Sequence, residues 1–256
     1  MAEPETKKPA EEIQESAQQA VKAETTARPT RLYRTYLFQF MLIATTGAFA
    51  VLTFLVKTTP SFPIDLAITQ AIQSIHFPFF DEFMIGISWP GFFPQSFLLP
   101  VLIALIIYAL GLHWEAVTTL VAAFLPAVIN VIVKDYIRRP RPTVNLVHVF
   151  RILDSYSFPS GHVMFYVGFF GFLWFLAFTL LKKSWRRTLL LIGFGIPTLF
   201  VGISRIYLGQ HWASDVLGAY LLGTLILVGI IAFYRWGKVR FFIQQPVASQ
   251  VPKRDG

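Results

Sequence analysis

Long apolar stretches recur along the chain and are separated by short polar connections. Most of them approach the ~20 residues that a helix needs to cross the hydrocarbon core of a bilayer. The pattern therefore predicts an all-α membrane protein with six transmembrane helices. The shortest stretch contains Gly193, Gly195 and Pro197, which favours a buried, kinked helix there. The six stretches cover residues 37–56, 92–112, 116–133, 163–181, 189–203 and 216–234.

A weaker amphipathic pattern fills residues 64–87. Apolar residues recur there at helical spacing, Asp65 and Gln73 lie on the other face, and Pro78 interrupts the pattern. Two short helices in the membrane interface are predicted. The alternative is a poorly hydrophobic span, which would put the later basic clusters on the wrong side of the membrane.

The composition agrees with membrane residence. Of the 256 residues, 55% are hydrophobic and 14% are charged, whereas an ordinary soluble domain is about one quarter charged. Cysteine is absent, so disulfides, thiolate metal sites and cysteine nucleophiles are excluded. We predict a flexible cytoplasmic tail at residues 1–30, a six-span membrane domain at 31–240 and a cytoplasmic tail at 241–256. An amphipathic helix over residues 11–24 is the alternative to a solvated tail.

The net charge of +8 comes from basic residues at the ends of the apolar stretches and in one connection, so no nucleic-acid partner is expected. By the positive-inside rule, three basic clusters place both termini in the cytoplasm, and we expect a bacterial plasma (cell inner) membrane. The connection 134–162 is then external yet strongly basic, which anion binding explains. The three clusters are Arg28, Arg31 and Arg34; Lys182, Lys183, Arg186 and Arg187; and Arg235, Lys238 and Arg240.

Three motifs fall on the predicted external side: K-x6-R-P, P-S-G-H and S-R-x5-H-x3-D. In order and spacing they resemble the signature of the type 2 phosphatidic acid phosphatase (PAP2) superfamily, which also includes vanadium haloperoxidases. The resemblance implies a PAP2/vanadium-haloperoxidase-like helical core and a lipid phosphatase activity. The motif positions are Lys134, Arg141 and Pro142; Pro159, Ser160, Gly161 and His162; and Ser204, Arg205, His211 and Asp215.

Five of these residues are suited to holding a phosphate. A phosphate monoester carries close to two negative charges, so its hydrolysis needs fixed cations around the phosphoryl oxygens. Lys134, Arg141 and Arg205 lie on different predicted elements and can supply them. Gly161 lets the backbone approach a ligand closely, and the helix that starts after Ser160 points free N–H groups at an anion.

The remaining polar motif residues suggest covalent catalysis. His211 and Asp215 are four apart and share one face of a helix, so the carboxylate can fix the imidazole tautomer and raise its basicity. We expect His211 to attack phosphorus and form a phosphohistidine. His162 would protonate the departing alkoxide and later activate water. The resemblance implies the same catalytic roles for His211, His162 and Asp215.

No metal or other cofactor is expected, because the chain lacks H-x-x-x-H and H-E-x-x-H patterns and the cations would repel a divalent ion. The expected partners are the bilayer and a phospholipid or polyprenyl (di)phosphate substrate. The sequence leaves open which lipid is the substrate and whether protein partners exist. Alternative functions are a phosphotransferase with a polyprenyl diphosphate donor and a non-catalytic lipid-binding relative. Five flanking residues either read a headgroup or second phosphate or lie in a solvated loop: Arg138, Arg139, His148, Arg151 and Asp154.

Overall fold

The computed structural model describes the backbone of residues 9–59 and 61–242, and the side chains of residues 32–59 and 61–241. Within these ranges the chain forms helices and contains no strand, so the all-α prediction is confirmed. The elements are α1 (Pro9–Thr58), α2 (Pro63–Gln73), α3 (Phe80–Ser88), a 3₁₀ turn (Trp89–Gly91), α4 (Gln95–Ala109), α5 (His113–Ile137), α6 (Gly161–Phe165), a π-helical turn (Tyr166–Phe170), α7 (Gly171–Leu180), α8 (Trp185–Tyr207), α9 (Ala213–Gly237) and a second π-helical turn (Lys238–Phe242).

The chain divides into two compact units, Met1–Gly47 and Ala48–Gly256. In the first, the described residues are helical. They include residues 11–24, where an amphipathic helix was predicted as the alternative to a solvated tail. The second contains α2 to α9 and all three motifs. The predicted tail 241–256 lies almost entirely outside the described residues, and the division at 30 and 240 stays a prediction.

Among the described residues, five helices are long and apolar enough to cross a membrane. A sixth span is present if α3 with its 3₁₀ turn and α4 count as one span that is bent by 60°. The multi-pass prediction is confirmed with this count. The five helices are Leu32–Thr58, His113–Ile137, Gly161–Leu180, Trp185–Tyr207 and Ala213–Phe241.

Two spans differ from their predictions. The second was expected at 92–112, but α4 has 15 residues and is too short to qualify alone. The apolar stretch is longer than the helix because Pro94 lies at its start and Gly111, with a left-handed φ of +81°, lies just after its end. The fifth was expected to be short and buried. Instead α8 has 23 residues and only 28% of its apolar window is buried, so most of it lies at the protein surface.

The segment α6–α7 forms the centre of the second unit. Its apolar window is the most buried of the spans, and it contacts α5, α8 and α9. Phe165, Tyr166 and Phe169 are buried in this core. At Gly168 a Cβ atom would lie 2.6 Å from Cγ of Pro126 on α5, so only glycine allows this approach. Close packing through small residues is how membrane helices associate, because burial in lipid gives no hydrophobic driving force.

All three motifs lie at one end of this bundle. They occupy the last turns of α5 and α8, the first turns of α6 and α9, and the connections that join these helices. A tight turn between α8 and α9 brings two of the ends together. It contains Gly209 with a left-handed φ of +62°, where a Cβ atom would collide with the carbonyl oxygen of His148.

Candidate active site

Arg141 joins the α5–α6 connection to the turn before α9. Its Nε and Nη2 donate to the carbonyl and hydroxyl oxygens of Ser155 at 2.7 and 2.9 Å. Its Nη1 donates to the carbonyl of Gln210 at 2.5 Å and lies 3.3 Å from Nε2 of His211. The guanidinium is therefore fixed beside the imidazole, where a phosphate bound to one would touch the other.

Lys134 and Arg205 bring two further cations to the same place from α5 and α8. Lys134 Nζ donates to the carbonyl of Tyr156 at 2.6 Å. Arg205 is 1% exposed; its Nη1 donates to Ser88 at 3.2 Å, and its guanidinium lies 5.4 Å from the ring centroid of Phe92. Among the described side chains no carboxylate pairs with Arg205, and burying a cation in this way is costly; a bound anion, as predicted, would offset the cost.

The P-S-G-H motif is held against α5 and α9. The backbone N–H of Ser160 donates to the carbonyl of Asp215 at 3.3 Å. Asn130, one turn before Lys134, donates to the carbonyl of Pro159 at 2.9 Å. A Cβ atom at Gly161 would lie 3.2 Å from Oδ1 of the same asparagine, so glycine permits the contact. Asn130 was missed from the sequence, although a polar residue inside an apolar span is itself a signal of function.

His162 follows Gly161 at the start of α6. Its ring packs edge-on against Phe92, with 4.9 Å between the ring centroids, and its electrostatic neighbours are Arg205, His211, Lys134 and Arg141. The two histidines and three cations are thus within interaction range of one another, as the motifs predict.

His211 is 2% exposed, and its Nδ1 lies 3.6 Å from Oδ2 of Asp215. Burial lowers the pKa of the His211 imidazole well below its usual range, and the charges of Arg141, Lys134 and Arg205 lower it further. The ring is therefore neutral at pH 7. With Nδ1 turned to the carboxylate, Nε2 is the nitrogen that faces Arg141.

Buried polar atoms without a hydrogen-bond partner concentrate at this place. Among the described residues, four of the eight such side-chain atoms belong to the predicted site: Ser160 Oγ, His162 Nε2, Arg205 Nε and His211 Nδ1. Each unsatisfied buried group costs about 1–3 kcal/mol. Nδ1 of His211 lies 3.6 Å from the Asp215 carboxylate, so the other three are the atoms that an anionic ligand could contact.

Arg139 contradicts the prediction that it reads a headgroup or lies in a solvated loop. It is 1% exposed and forms ion pairs with Asp65 at 2.7 Å and Asp215 at 2.5 Å. Asp65 was assigned to the polar face of an interfacial helix, but it is 2% exposed. Both errors have one cause, because hydropathy cannot distinguish a polar face that meets water from one that meets a buried ion pair.

The carboxylate of Asp215 accepts two further hydrogen bonds. Ser157 donates its hydroxyl to Oδ2, and the backbone N–H of Trp212 donates to the same oxygen at 2.8 Å. This last bond caps the first turn of α9. The carboxylate is therefore fixed from several sides, and Ser157 is a second residue that sequence reasoning missed.

Comparison with known proteins agrees with the motifs. A sequence model described as "PAP2 superfamily" matches residues 115–238. Phosphatidylglycerophosphatase B of Bacillus subtilis is 33% identical over 192 residues, which cover 72% of this chain and 90% of that protein. The chain belongs to the PAP2 superfamily. An undecaprenyl-diphosphatase of Sulfolobus acidocaldarius is 33% identical over 112 residues, 42% of this chain and 50% of that protein.

A solved structure shows the same fold. It is described as the crystal structure of a transmembrane PAP2-type phosphatidylglycerolphosphate phosphatase from Bacillus subtilis. It is 28% identical, with a TM-score of 0.68, and the match covers 79% of this chain and 98% of that one. The PAP2 helical core predicted from the motifs is confirmed.

A groove opens beside the PAP2 motifs. Its volume is about 380 Å³, and Arg141 forms part of its wall together with Arg151 and Gln210. The rest of the wall is mainly apolar and includes Val144 and Ile152, which are well exposed. The groove thus places a second arginine and apolar side chains next to Arg141, one of the predicted phosphate ligands.

Proposed function

We propose that this PAP2 protein is an integral-membrane lipid phosphatase that removes a terminal phosphate through a phosphohistidine on His211. The observation that carries the proposal is that the charges of Lys134, Arg141 and Arg205 converge on that imidazole, beside unsatisfied buried polar atoms of Ser160, His162 and Arg205. Membership of the PAP2 superfamily, with relatives named phosphatidylglycerophosphatase and undecaprenyl-diphosphatase, supports a phosphatase acting on lipid phosphates.

In the first step, Nε2 of His211 attacks phosphorus and the bond to the lipid oxygen breaks. The ring is neutral and Nδ1 faces Asp215, so the lone pair is on Nε2. It becomes free to attack when Nη1 of Arg141, 3.3 Å away, turns its N–H to the phosphate. As the imidazole becomes positively charged, the carboxylate stabilises it. The negative charge of the bound phosphate favours a protonated His162. His162 gives this proton to the departing lipid oxygen, so the lipid leaves as an alcohol, or as a monophosphate when the substrate is a diphosphate.

In the second step, water replaces the histidine on phosphorus. His162, now neutral, takes a proton from the water as its oxygen attacks the phosphohistidine. The N–P bond breaks, His211 returns to its starting state, and inorganic phosphate leaves. Throughout both steps Lys134, Arg141 and Arg205 neutralise the phosphoryl oxygens, whose charge is stabilised best by fixed groups in a water-poor site.

We also propose that catalysis does not need a divalent metal. The three cations supply the charge neutralisation that Mg²⁺ or Zn²⁺ gives in other phosphatases. The donor set also disfavours a metal, because the described residues contain no group of three or more His, Asp or Glu side chains placed to hold one. Full activity in excess chelator is expected. Activity that disappears in chelator and returns with added metal would contradict it.

The groove with Arg151 suggests the substrate class. Phosphatidylglycerophosphate and undecaprenyl diphosphate each carry a second phosphate close to the terminal one. With the terminal phosphate at Arg141, Arg151 is placed to contact the second, and the exposed apolar residues Val144 and Ile152 to contact the lipid. We therefore propose a preference for lipids with two phosphates over phosphatidic acid.

The membrane orientation is also proposed. The basic clusters support cytoplasmic termini, and the active site then lies on the external face, at the level of the lipid headgroups. A bacterial plasma membrane is the proposed location.

Phosphate release by the full-length protein in detergent tests this function. The lipids are phosphatidic acid, phosphatidylglycerophosphate and undecaprenyl diphosphate, and thin-layer analysis of the lipid products distinguishes water from a lipid as phosphate acceptor. His211→Ala should abolish turnover and any acid-labile, base-stable phosphoenzyme. His76→Ala, at an exposed histidine bonded to Ser74, is the matched control. A folded His211→Ala variant with most of the wild-type activity would rule out the nucleophile.

A further inference from the structure

A carboxylate from a distant part of the sequence supports the first turn of α9. Asp65 lies on α2 and accepts two hydrogen bonds from Ser214: one from the backbone N–H at 2.8 Å and one from the hydroxyl at 2.6 Å. Ser214 is the second residue of α9, where backbone N–H groups have no partner inside the helix. Asp65 therefore caps the helix that carries Asp215, and its negative charge suits the positive end of the helix dipole.

The same carboxylate is linked to Asp215 through Arg139. Nη2 of Arg139 binds Asp65 at 2.7 Å, while Nη1 binds Asp215 at 2.5 Å and the hydroxyl of Ser214 at 2.7 Å. The side chains of these three charged residues are at most 2% exposed. Water cannot screen charges at such depth, so each one acts strongly on its neighbours.

The charges of Asp65, Arg139 and Asp215 together set the electrostatic potential at His211. Arg139 and Asp215 alone would form a neutral pair that presents little negative potential to Nδ1 of His211, 3.6 Å away. Asp65 balances Arg139, so the group as a whole keeps one net negative charge. The other charged or titratable groups around the imidazole are Lys134 on α5, Arg141 in the connection, Arg205 on α8 and His162 on α6.

We propose that Asp65 is a positioning residue for catalysis, which fixes the first turn of α9 and keeps the charge of Asp215 effective at His211. The inference rests on the proposed function, in which His211 is the nucleophile. Among the described residues, the side-chain contacts of Asp65 are with Arg139 and Ser214, away from the phosphate-binding cations. Its loss should therefore slow the chemical step without weakening phosphate binding.

Asp65→Asn in the full-length protein tests this role. We expect kcat to fall about 10- to 100-fold, by analogy with the loss of an outer partner of a metal-binding histidine. Inorganic phosphate should inhibit at least as strongly as in the wild type, because the cations are kept and one buried negative charge near them is lost. The acid limb of kcat/KM should move to lower pH, since Arg139 then has one carboxylate instead of two and disfavours the imidazolium. Asp135→Asn, at an exposed carboxylate beside Lys134, is the control and should behave as wild type.

A second variant covers the case in which Asp65→Asn does not fold. Ser214→Ala removes the hydroxyl between Arg139 and Asp65 but keeps both carboxylates and the backbone N–H. A smaller fall in kcat is expected, with unchanged phosphate inhibition. Two outcomes would overturn the role of Asp65. One is a wild-type kcat in whichever of these two variants fold. The other is phosphate inhibition that weakens as much as kcat falls.

His211→Ala, measured alongside, separates the two proposals. An active His211→Ala variant would contradict the proposed function itself. An inactive His211→Ala variant together with a fully active Asp65→Asn variant removes only the role of Asp65.

Discussion

Replacement of Arg141 gives the sharpest measure of how the cationic cluster works. A guanidinium has five N–H donors. Three of them are directed to protein oxygens, at Ser155 and Gln210. One hydrogen on Nη1, which faces His211, and one on Nη2 remain for phosphoryl oxygens. A bound phosphate would therefore receive two charge-assisted hydrogen bonds from this side chain.

The expected losses follow from this count. Each hydrogen bond to a charged group is worth about 1.5–3 kcal/mol, so Arg141→Ala should lose about 3–6 kcal/mol of transition-state stabilisation. At 1.36 kcal/mol per tenfold change in rate, kcat/KM falls by roughly 10²- to 10⁴-fold. Arg141→Lys keeps a charge but loses the fork, so a fall of about 10- to 10²-fold is expected.

Phosphate release from micelles of the preferred lipid provides the assay, with the variants compared at equal folded fraction. Arg138→Gln is the matched control. Its side chain is exposed and its Nε donates only locally, to the carbonyl of Asp135. A lysine variant as active as wild type would refute the bidentate role. An equal loss in Arg138→Gln would show that the effect comes from general positive charge near the membrane.

Three further outcomes are expected. Arg151→Gln should lower kcat/KM for undecaprenyl diphosphate or phosphatidylglycerophosphate more than for phosphatidic acid; an equal loss on all three lipids would refute the second-phosphate contact. A cysteine at position 148 of this cysteine-free chain should react with an impermeant reagent from outside the cell, and labelling only from the cytoplasmic side would reverse the topology. His211 has a lowered pKa, so the unfolded chain binds its proton more readily and folding stability should fall as pH drops below about 6.5. His211→Gln should reduce the loss of Tm between pH 8 and pH 5, and an identical pH dependence would contradict the neutral imidazole.

The helices and the candidate site were largely predictable, for different reasons. Hydropathy located the spans because lipid demands apolar residues along the middle of each helix. It placed the ends of α5 and α8 too early, since their last turns carry Lys134 and Arg205, two polar residues of the candidate site. The motifs supplied those residues, because phosphate chemistry restricts both their type and their spacing.

The buried residues that hold the candidate catalytic residues in place were not predictable from the sequence. Asp65, Arg139 and Ser157 carry no local signal that separates a buried polar contact from a solvated one. Asp65 and Ser214 are 149 positions apart in the sequence, and only the packing of α2 beside α9 brings them together. Asn130 could have been found from the sequence, since a polar residue within an apolar helix is itself a sign of a functional role.

The contact of Asp65 on α2 with the first turn of α9 also determines how far the N-terminal side of the chain can be shortened without loss of function. The stretch that matches the family begins at residue 115, after α2 to α4 have ended. A protein trimmed to that stretch would retain every motif residue, yet it would separate Arg139 from one of its two carboxylates and remove the cap from α9. Shortened enzymes, circular permutants and chimaeras should therefore be cut before residue 63, because the charge balance of the site extends further along the chain than its recognisable sequence.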